Sequence, residues 1–290
     1  MQSSKLFRSA QGESEFLAAY DAAMRLWPVP FQRRNLHTRF GRTHVITCGD
    51  ESAPPLVLLH CALMTSAVWG PAIGELATRF RVHAVDVIGD MGRTVPTAPP
   101  ETHAEFADWL AEVCDGLGIE RAPLIGWSFG GFVAANFALH HPARVERLGL
   151  LAPFAVFTRP GAGFLAGFLP LLIRKRGMSR WFERKLSASG GFGAPEYSEL
   201  LWQRFRNGRV QFRTGPRVFF DSELRELTMP VLLLVGEKEF LYDARAAVDR
   251  ARRLLPKGEA HLLRDCNHAM IPDQADLVME LLLEFLIPGR

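Results

Sequence analysis

Short, mostly apolar runs recur along the chain at Leu56–Leu59, Val82–Val87, Leu124–Ile125, Leu148–Leu151 and Val231–Val235, with a weaker one at Ala260–Leu263. Runs of this kind suit strands buried on both faces of a parallel sheet. Between them, apolar residues return at helical spacing over Phe106 to Leu117, Phe132 to His140, Ala244 to Leu255 and Asp273 to Phe285. Strands alternating with helices predict an α/β fold with a mostly parallel central sheet flanked by helices. Near the start, Phe16, Leu17, Tyr20, Met24 and Trp27 predict a helix over Ser14 to Leu26, with Ser14 as its N-cap. Trp27-Pro28-Val29-Pro30 ends that helix, and a hairpin is expected around Phe40-Gly41-Arg42 with His44–Thr47 as its second strand.

The alternation breaks between about Phe154 and Asp221. No buried-strand run occurs there, only Gly/Pro-rich and helical stretches such as Gly161 to Ile173, Met178 to Leu186 and Tyr197 to Arg206. The sheet rhythm resumes at Met229-Pro230. The pattern predicts an N-terminal helical extension over 1–30, a core made of 31–153 and 222–290, and a helical cap over 154–221, inserted before the strand at 231–235. Arg159 to Arg217 holds twelve Lys/Arg against three Glu. Solvated outer faces of amphipathic helices account for such a surplus, and attraction of acidic substrates or an anionic surface is the alternative.

Composition adds limits. The net charge of +3 gives no push toward nucleic acid, and 48% hydrophobic with 22% charged residues is ordinary for a soluble globular chain. Met1-Gln2-Ser3-Ser4-Lys5 is not followed by an apolar stretch, so no secretory signal is read. Neither Ala122–Leu139 nor Pro160–Ile173 suits a membrane span, since the first holds glycines, Ser128 and Asn136 and the second is short and broken. Cys48, Cys61, Cys114 and Cys266 are scattered, as free thiols in a reducing compartment would be. The expectation is a cytoplasmic protein, monomer or homodimer, without metal or cofactor. Asp86 follows a strand and reads as a turn residue.

Candidate chemistry centres on Gly126-Trp127-Ser128-Phe129-Gly130, set between an apolar run and a helix. This is a G-x-S-x-G elbow in strand–turn–helix context, which points to Ser128 as a nucleophile at a helix N-terminus. Such a hydroxyl needs a base, an acid to orient the base, and N–H donors for the oxyanion. His268 follows the last apolar run in Arg264-Asp265-Cys266-Asn267-His268 and is the candidate base. After Val231–Val235, the third residue past Gly236 is Glu239, where Asp is usual; Glu239 is the candidate acid, with Asp243 and Asp265 as rivals. The oxyanion donors expected are the backbone N–H groups of Phe129 and Ala62, with Leu63 as an alternative to Ala62. Leu63, Trp127, Phe164 and Phe168 are candidate substrate-binding residues; the cap aromatics either line an acyl pocket or pack the cap on the sheet. Cys61 reads as a packed thiol rather than a second nucleophile.

These residues resemble the α/β-hydrolase superfamily from about Leu36 to Leu286. A nearer resemblance, to bacterial carboxylesterases of the naproxen-esterase type, rests on five stretches. They are Leu26-Trp27-Pro28-Val29-Pro30, Thr38 to Ile46, Val85 to Asp90, Gly126-Trp127-Ser128 and Gly236 to Asp243. The resemblance implies a glutamate as triad acid, matching Glu239, and hydrolysis of carboxylic esters with a bulky apolar acyl part. It also implies Gly at position 61, where this chain has Cys, which fits poorly if the backbone there is left-handed. A thioester, lactone or C–C bond as the scissile group, or a slow small-molecule sensor, are the other readings of the same residues.

Overall fold

A computed structural model of the protein describes residues 6–167, 172–209 and 213–287. The hairpin forms as β1 (Phe31–Thr38) and β2 (Gly41–Cys48), paired antiparallel. The apolar runs become β3 (Pro55–Leu59), β4 (Arg81–Val85), β6 (Ala122–Trp127), β7 (Val145–Leu151), β8 (Val231–Gly236) and β9 (Gly258–Leu263). A two-residue strand, β5 (Val95–Pro96), adds to β2. The sheet order is β1-β2-β4-β3-β6-β7-β8-β9, parallel from β4 onward, with β2 antiparallel to β4. Val231–Val235 are all buried, each aliphatic side chain contributing about 1.5–3 kcal/mol of burial energy.

The helices are α1 (Ala10–Met24), α2 (Gly70–Leu76), α3 (His103–Leu117), α4 (Phe129–His140), α5 (Ala162–Ala166), α6 (Arg176–Leu186), α7 (Pro195–Asn207), α8 (Asp221–Glu226), α9 (Ala244–Leu254) and α10 (Met270–Leu286). Helices α5 to α8 all lie between β7 and β8, with no strand among the described residues of that stretch. Helix α1 begins earlier than its pattern suggests. Ser9, not Ser14, is the cap, its hydroxyl accepting the Gly12 N–H at 3.0 Å. The added first turn is held by tertiary contact, since the Arg8 N–H bonds the Asn207 carbonyl at the end of α7. Helix α2 carries Gly70 and Gly74, which weaken a helix, and Pro71 in its first turn, where proline is tolerated; Ala72, Ile73 and Leu76 pack into the core.

Asp86 corrects a sequence expectation. It is no simple turn residue but a buried acceptor for the Tyr20 hydroxyl (2.8 Å), the Ser66 hydroxyl (2.8 Å), the Ser66 N–H (3.0 Å) and the Arg93 N–H (3.0 Å). Burial alone raises its pKa, but the hydrogen bond and charge of His44, with His60 nearby, bring it well below the carboxylate range. The carboxylate thus fastens α1, β2 and the loop after β4 together. Part of the basic surplus over 159–217 is paired: Arg206 with Glu15, Arg213 with Glu101 and Arg217 with Glu223, while Arg176 pairs with Glu199 of the same stretch. No helix among the described residues is long and apolar enough to cross a membrane.

Candidate active site

The parallel strands all end on one edge of the sheet, and the loops leaving that edge carry the residues of interest. Strand β6 turns into α4 through Ser128, at φ 56° and ψ −112°. A non-glycine residue there costs about 1–3 kcal/mol and persists only where the surroundings fix it. They do: the Ser128 N–H donates to the Leu151 carbonyl (2.8 Å), and its carbonyl accepts from Phe154 N–H (3.0 Å) and Phe132 N–H (3.1 Å). The two elbow glycines allow the close approach. A Cβ on Gly126 would meet the Gly130 carbonyl oxygen at 2.2 Å, and one on Gly130 would meet the Leu59 oxygen at 2.2 Å.

His268, in the loop after β9, faces that serine. Its Nε2 lies 2.7 Å from Ser128 Oγ, and its Nδ1 lies 2.8 Å from Glu239 Oε2. The Nδ1–H donates to the carboxylate, which leaves the Nε2 lone pair to accept from the serine hydroxyl. Glu239 has no exposed side-chain surface, and its other oxygen accepts the Leu241 N–H at 2.8 Å. The rivals are engaged elsewhere. Asp243 caps α9 through the Ala246 N–H (3.0 Å), and Asp265 is exposed and paired with Lys238 (2.7 Å).

The loops bearing acid and base are sewn together by backbone. Glu237 N–H donates to Leu263 O (2.8 Å) and Lys238 N–H to Cys266 O (2.9 Å). Asn267, which sequence reasoning passed over, is the node. Its Oδ1 accepts from His268 N–H (2.8 Å) and Phe240 N–H (3.1 Å), while its Nδ2 donates to Lys185 O at the end of α6 (2.9 Å). Only its place next to His268 could have marked it. Trp127 does more than line a pocket: its indole N–H donates to the His268 carbonyl at 2.9 Å.

The loop after β3 completes the arrangement. His60 is buried; its Nε2 accepts the Val87 N–H (2.9 Å), so its Nδ1–H donates to the Cys61 carbonyl (2.9 Å). That carbonyl also accepts the Met64 N–H at 3.3 Å. A trans peptide sends its N–H opposite its carbonyl, so the Ala62 N–H points away from His60. The left-handed residue of this loop is Leu63 (φ 69°), and Cys61 is not among the positive-φ residues, so a cysteine at 61 sets no backbone strain there. Burial, then the Asp90 carboxylate, push the Cys61 thiol far above its usual pKa, which keeps it protonated and a poor nucleophile. The Leu63 N–H is already bonded to Asp90 Oδ2 at 2.9 Å, which removes it as an alternative to Ala62.

A cavity of about 230 Å³ opens over Ser128 and His268. Ala62, Leu63, Trp127, Phe129 and Phe164 line it, together with Phe154, Phe182 and Leu201. Phe168 lies outside the described residues. The lining is almost wholly apolar apart from the serine and the histidine.

Comparison with known proteins agrees with this architecture. Residues 56–281 match the model of the alpha/beta hydrolase family. The chain is 34% identical to carboxylesterase YbfK of Bacillus subtilis, over all of this chain and 99% of that protein. It is 35% identical to the uncharacterized carboxylesterase nap of the same organism, over 93% of this chain and 91% of the other. The crystal structure of naproxen esterase from Bacillus subtilis superposes with a TM-score of 0.92 at 32% identity, covering 97% of this chain and all of that one. The chain therefore belongs to the alpha/beta hydrolase family and is a carboxylesterase-type hydrolase.

Proposed function

We propose that the protein hydrolyses carboxylic esters with a bulky apolar acyl group through an acyl-enzyme on Ser128. The observation that carries this reading is the unbroken line of hydrogen bonds from Ser128 Oγ to His268 (2.7 Å) to Glu239 (2.8 Å) at the floor of an apolar cavity. His268 takes the Ser128 proton as Oγ attacks the ester carbonyl. Glu239 holds the imidazole tautomer and offsets the charge of the imidazolium. The N–H groups of Phe129 and Ala62 bind the oxyanion, each such donor supporting roughly 10²–10³ in kcat. His268 then protonates the departing alcohol. Water, deprotonated by the same imidazole, releases the acid from Ser128.

The acyl part is assigned to the cavity because Phe154, Phe164, Phe182 and Leu201 supply apolar wall and no charge. Segment 154–221 acts as a cap over the sheet edge, since Phe164, Phe182 and Leu201 come from it. The alcohol part faces the mouth. The naproxen esterase relative is named for a bulky aromatic acid, which supports the same substrate class. The test is turnover of p-nitrophenyl esters of graded acyl size, with and without Ser128→Ala, together with labelling by a fluorophosphonate. Loss of turnover and of label in the variant is expected. Turnover at the wild-type level in Ser128→Ala refutes the assignment.

A further inference from the structure

Arg204 of α7 and Asp90 of the loop after β4 form a buried ion pair. Each side chain is 1% exposed; Arg204 Nη2 and Nε lie 3.1 and 3.2 Å from Asp90 Oδ1. Arg204 Nη1 also rests 3.0 Å from the Met91 sulfur. Removing two charges from water is costly, and apolar residues of similar volume commonly stabilise a fold as well or better. The pair therefore calls for a role besides stability. Its second oxygen supplies one. Asp90 Oδ2 accepts the Leu63 N–H at 2.9 Å, and Oδ1 accepts the Met91 N–H at 2.8 Å.

We propose that Arg204 and Asp90 are positioning residues, through which helix α7 of the inserted segment holds the oxyanion-side loop in its working geometry. This rests on the esterase reading above. The loop has two peptides around Ala62. The first is fixed by His60 and Met64 through the Cys61 carbonyl. The second ends in the Leu63 N–H, which only Asp90 holds among the described residues. Leu63 is left-handed at φ 69°, a conformation a leucine keeps only under external constraint. Asp90 supplies that constraint, and Arg204 fixes the direction of the carboxylate. Movement of α7 thus shifts the second peptide and the Ala62 Cα it shares with the first, and so tilts the Ala62 N–H, which is anchored only on its carbonyl side, without touching Ser128 or His268.

The test uses the full chain with Asp90→Asn, Arg204→Met, the double variant Asp90→Asn/Arg204→Met, and Arg204→Lys. Thermal melts check folding; should a single variant not fold, the double, which buries no lone charge, is measured against the same thresholds. Steady-state kinetics on p-nitrophenyl butyrate give kcat and KM. Inhibition by an alkyl trifluoromethyl ketone reads the oxyanion site, because its serine adduct places an O⁻ there. We expect kcat to fall about 100-fold with KM within threefold, the scale of one lost donor. Ketone affinity falls by a similar factor, the double is no worse than the worse single, and Arg204→Lys recovers at least tenfold. A folded variant with kcat within threefold of wild type, or with raised KM and unchanged kcat, overturns the proposal while the esterase reading stands. An inactive, unlabelled wild type brings down both.

Discussion

Glu239→Gln keeps the shape of the acid and removes one acceptor, so its effect can be worked out from the two bonds the carboxylate makes. One oxygen accepts the His268 Nδ1–H and the other the Leu241 N–H, both at 2.8 Å, with no solvent contact. A glutamine amide has a single oxygen for these two donors. If the oxygen serves Leu241, the NH2 faces Nδ1. The imidazole then carries its proton on Nε2 and cannot accept from Ser128. If the oxygen serves His268, the NH2 opposes a buried N–H, at a cost of about 1–3 kcal/mol. In either state the imidazolium formed on attack loses a charge-assisted partner, about another 1–2 kcal/mol. The sum of about 2–5 kcal/mol corresponds to roughly 30- to 5,000-fold in kcat at 1.36 kcal/mol per tenfold. Steady-state turnover of p-nitrophenyl butyrate at pH 7 to 9, with a thermal melt to show that the variant is folded, measures it. Asp243→Asn and Asp265→Asn serve as controls and stay near wild type. A folded Glu239→Gln with kcat within threefold of wild type, or an equal loss in Asp265→Asn, refutes the reasoning.

Other substitutions probe the rest of the frame. Gly126→Ala places a Cβ 2.2 Å from the Gly130 oxygen, so strand and helix must part by about 1 Å; roughly 100-fold loss of kcat is expected in a protein that still folds, and wild-type kcat counts against the elbow argument. Leu201→Phe narrows the acyl wall; kcat/KM for a bulky aromatic acyl ester drops roughly tenfold relative to an acetate ester, and an unchanged ratio means Leu201 does not shape acyl choice. Burial, then Arg81 and Arg34, lower the His83 pKa to about 4 from 6.5. The folded state refuses a proton that the unfolded chain takes, so stability is full above pH 6.5 and declines as pH falls toward about 4. This group accounts for about 3 kcal/mol of that decline. Denaturant midpoints at pH 7.5 and 4.5 should differ less in His83→Gln; an equal difference removes His83 as the cause.

Local pattern carried a large part of this protein. The apolar runs marked six strands, five of them because a strand covered on both faces needs no polar alternation, as Val231–Val235 shows most plainly; the sixth, at the sheet edge, is only partly buried and gave the weakest run. Gly126, Ser128 and Gly130 could be read without coordinates because they share one five-residue motif; Gly126 packs on Gly130 within that turn, whereas the reason Gly130 must lack a Cβ, its approach to Leu59 of β3, is tertiary. The order of Ser128, Glu239 and His268 followed from where strands end. What failed locally was whatever tertiary contact overrides. Helix α1 starts at a cap that packing against α7 selects, and Asp86 becomes a buried hub only when Tyr20, His44 and Ser66 converge on it.

The choice among Glu239, Asp243 and Asp265 was likewise open in the sequence, for all three follow β8 or β9 within a few residues. Folding assigned one to the imidazole, one to a helix cap and one to a surface lysine. The grip of Arg204 on Asp90, and of Asp90 on the Leu63 N–H, left no trace in spacing, because the ion pair joins residues 114 positions apart. A chain spells out interactions within a turn or a strand through its own periodicity. Buried polar partners drawn from distant segments are fixed only when the sheet and the inserted helices close and water is removed from around them.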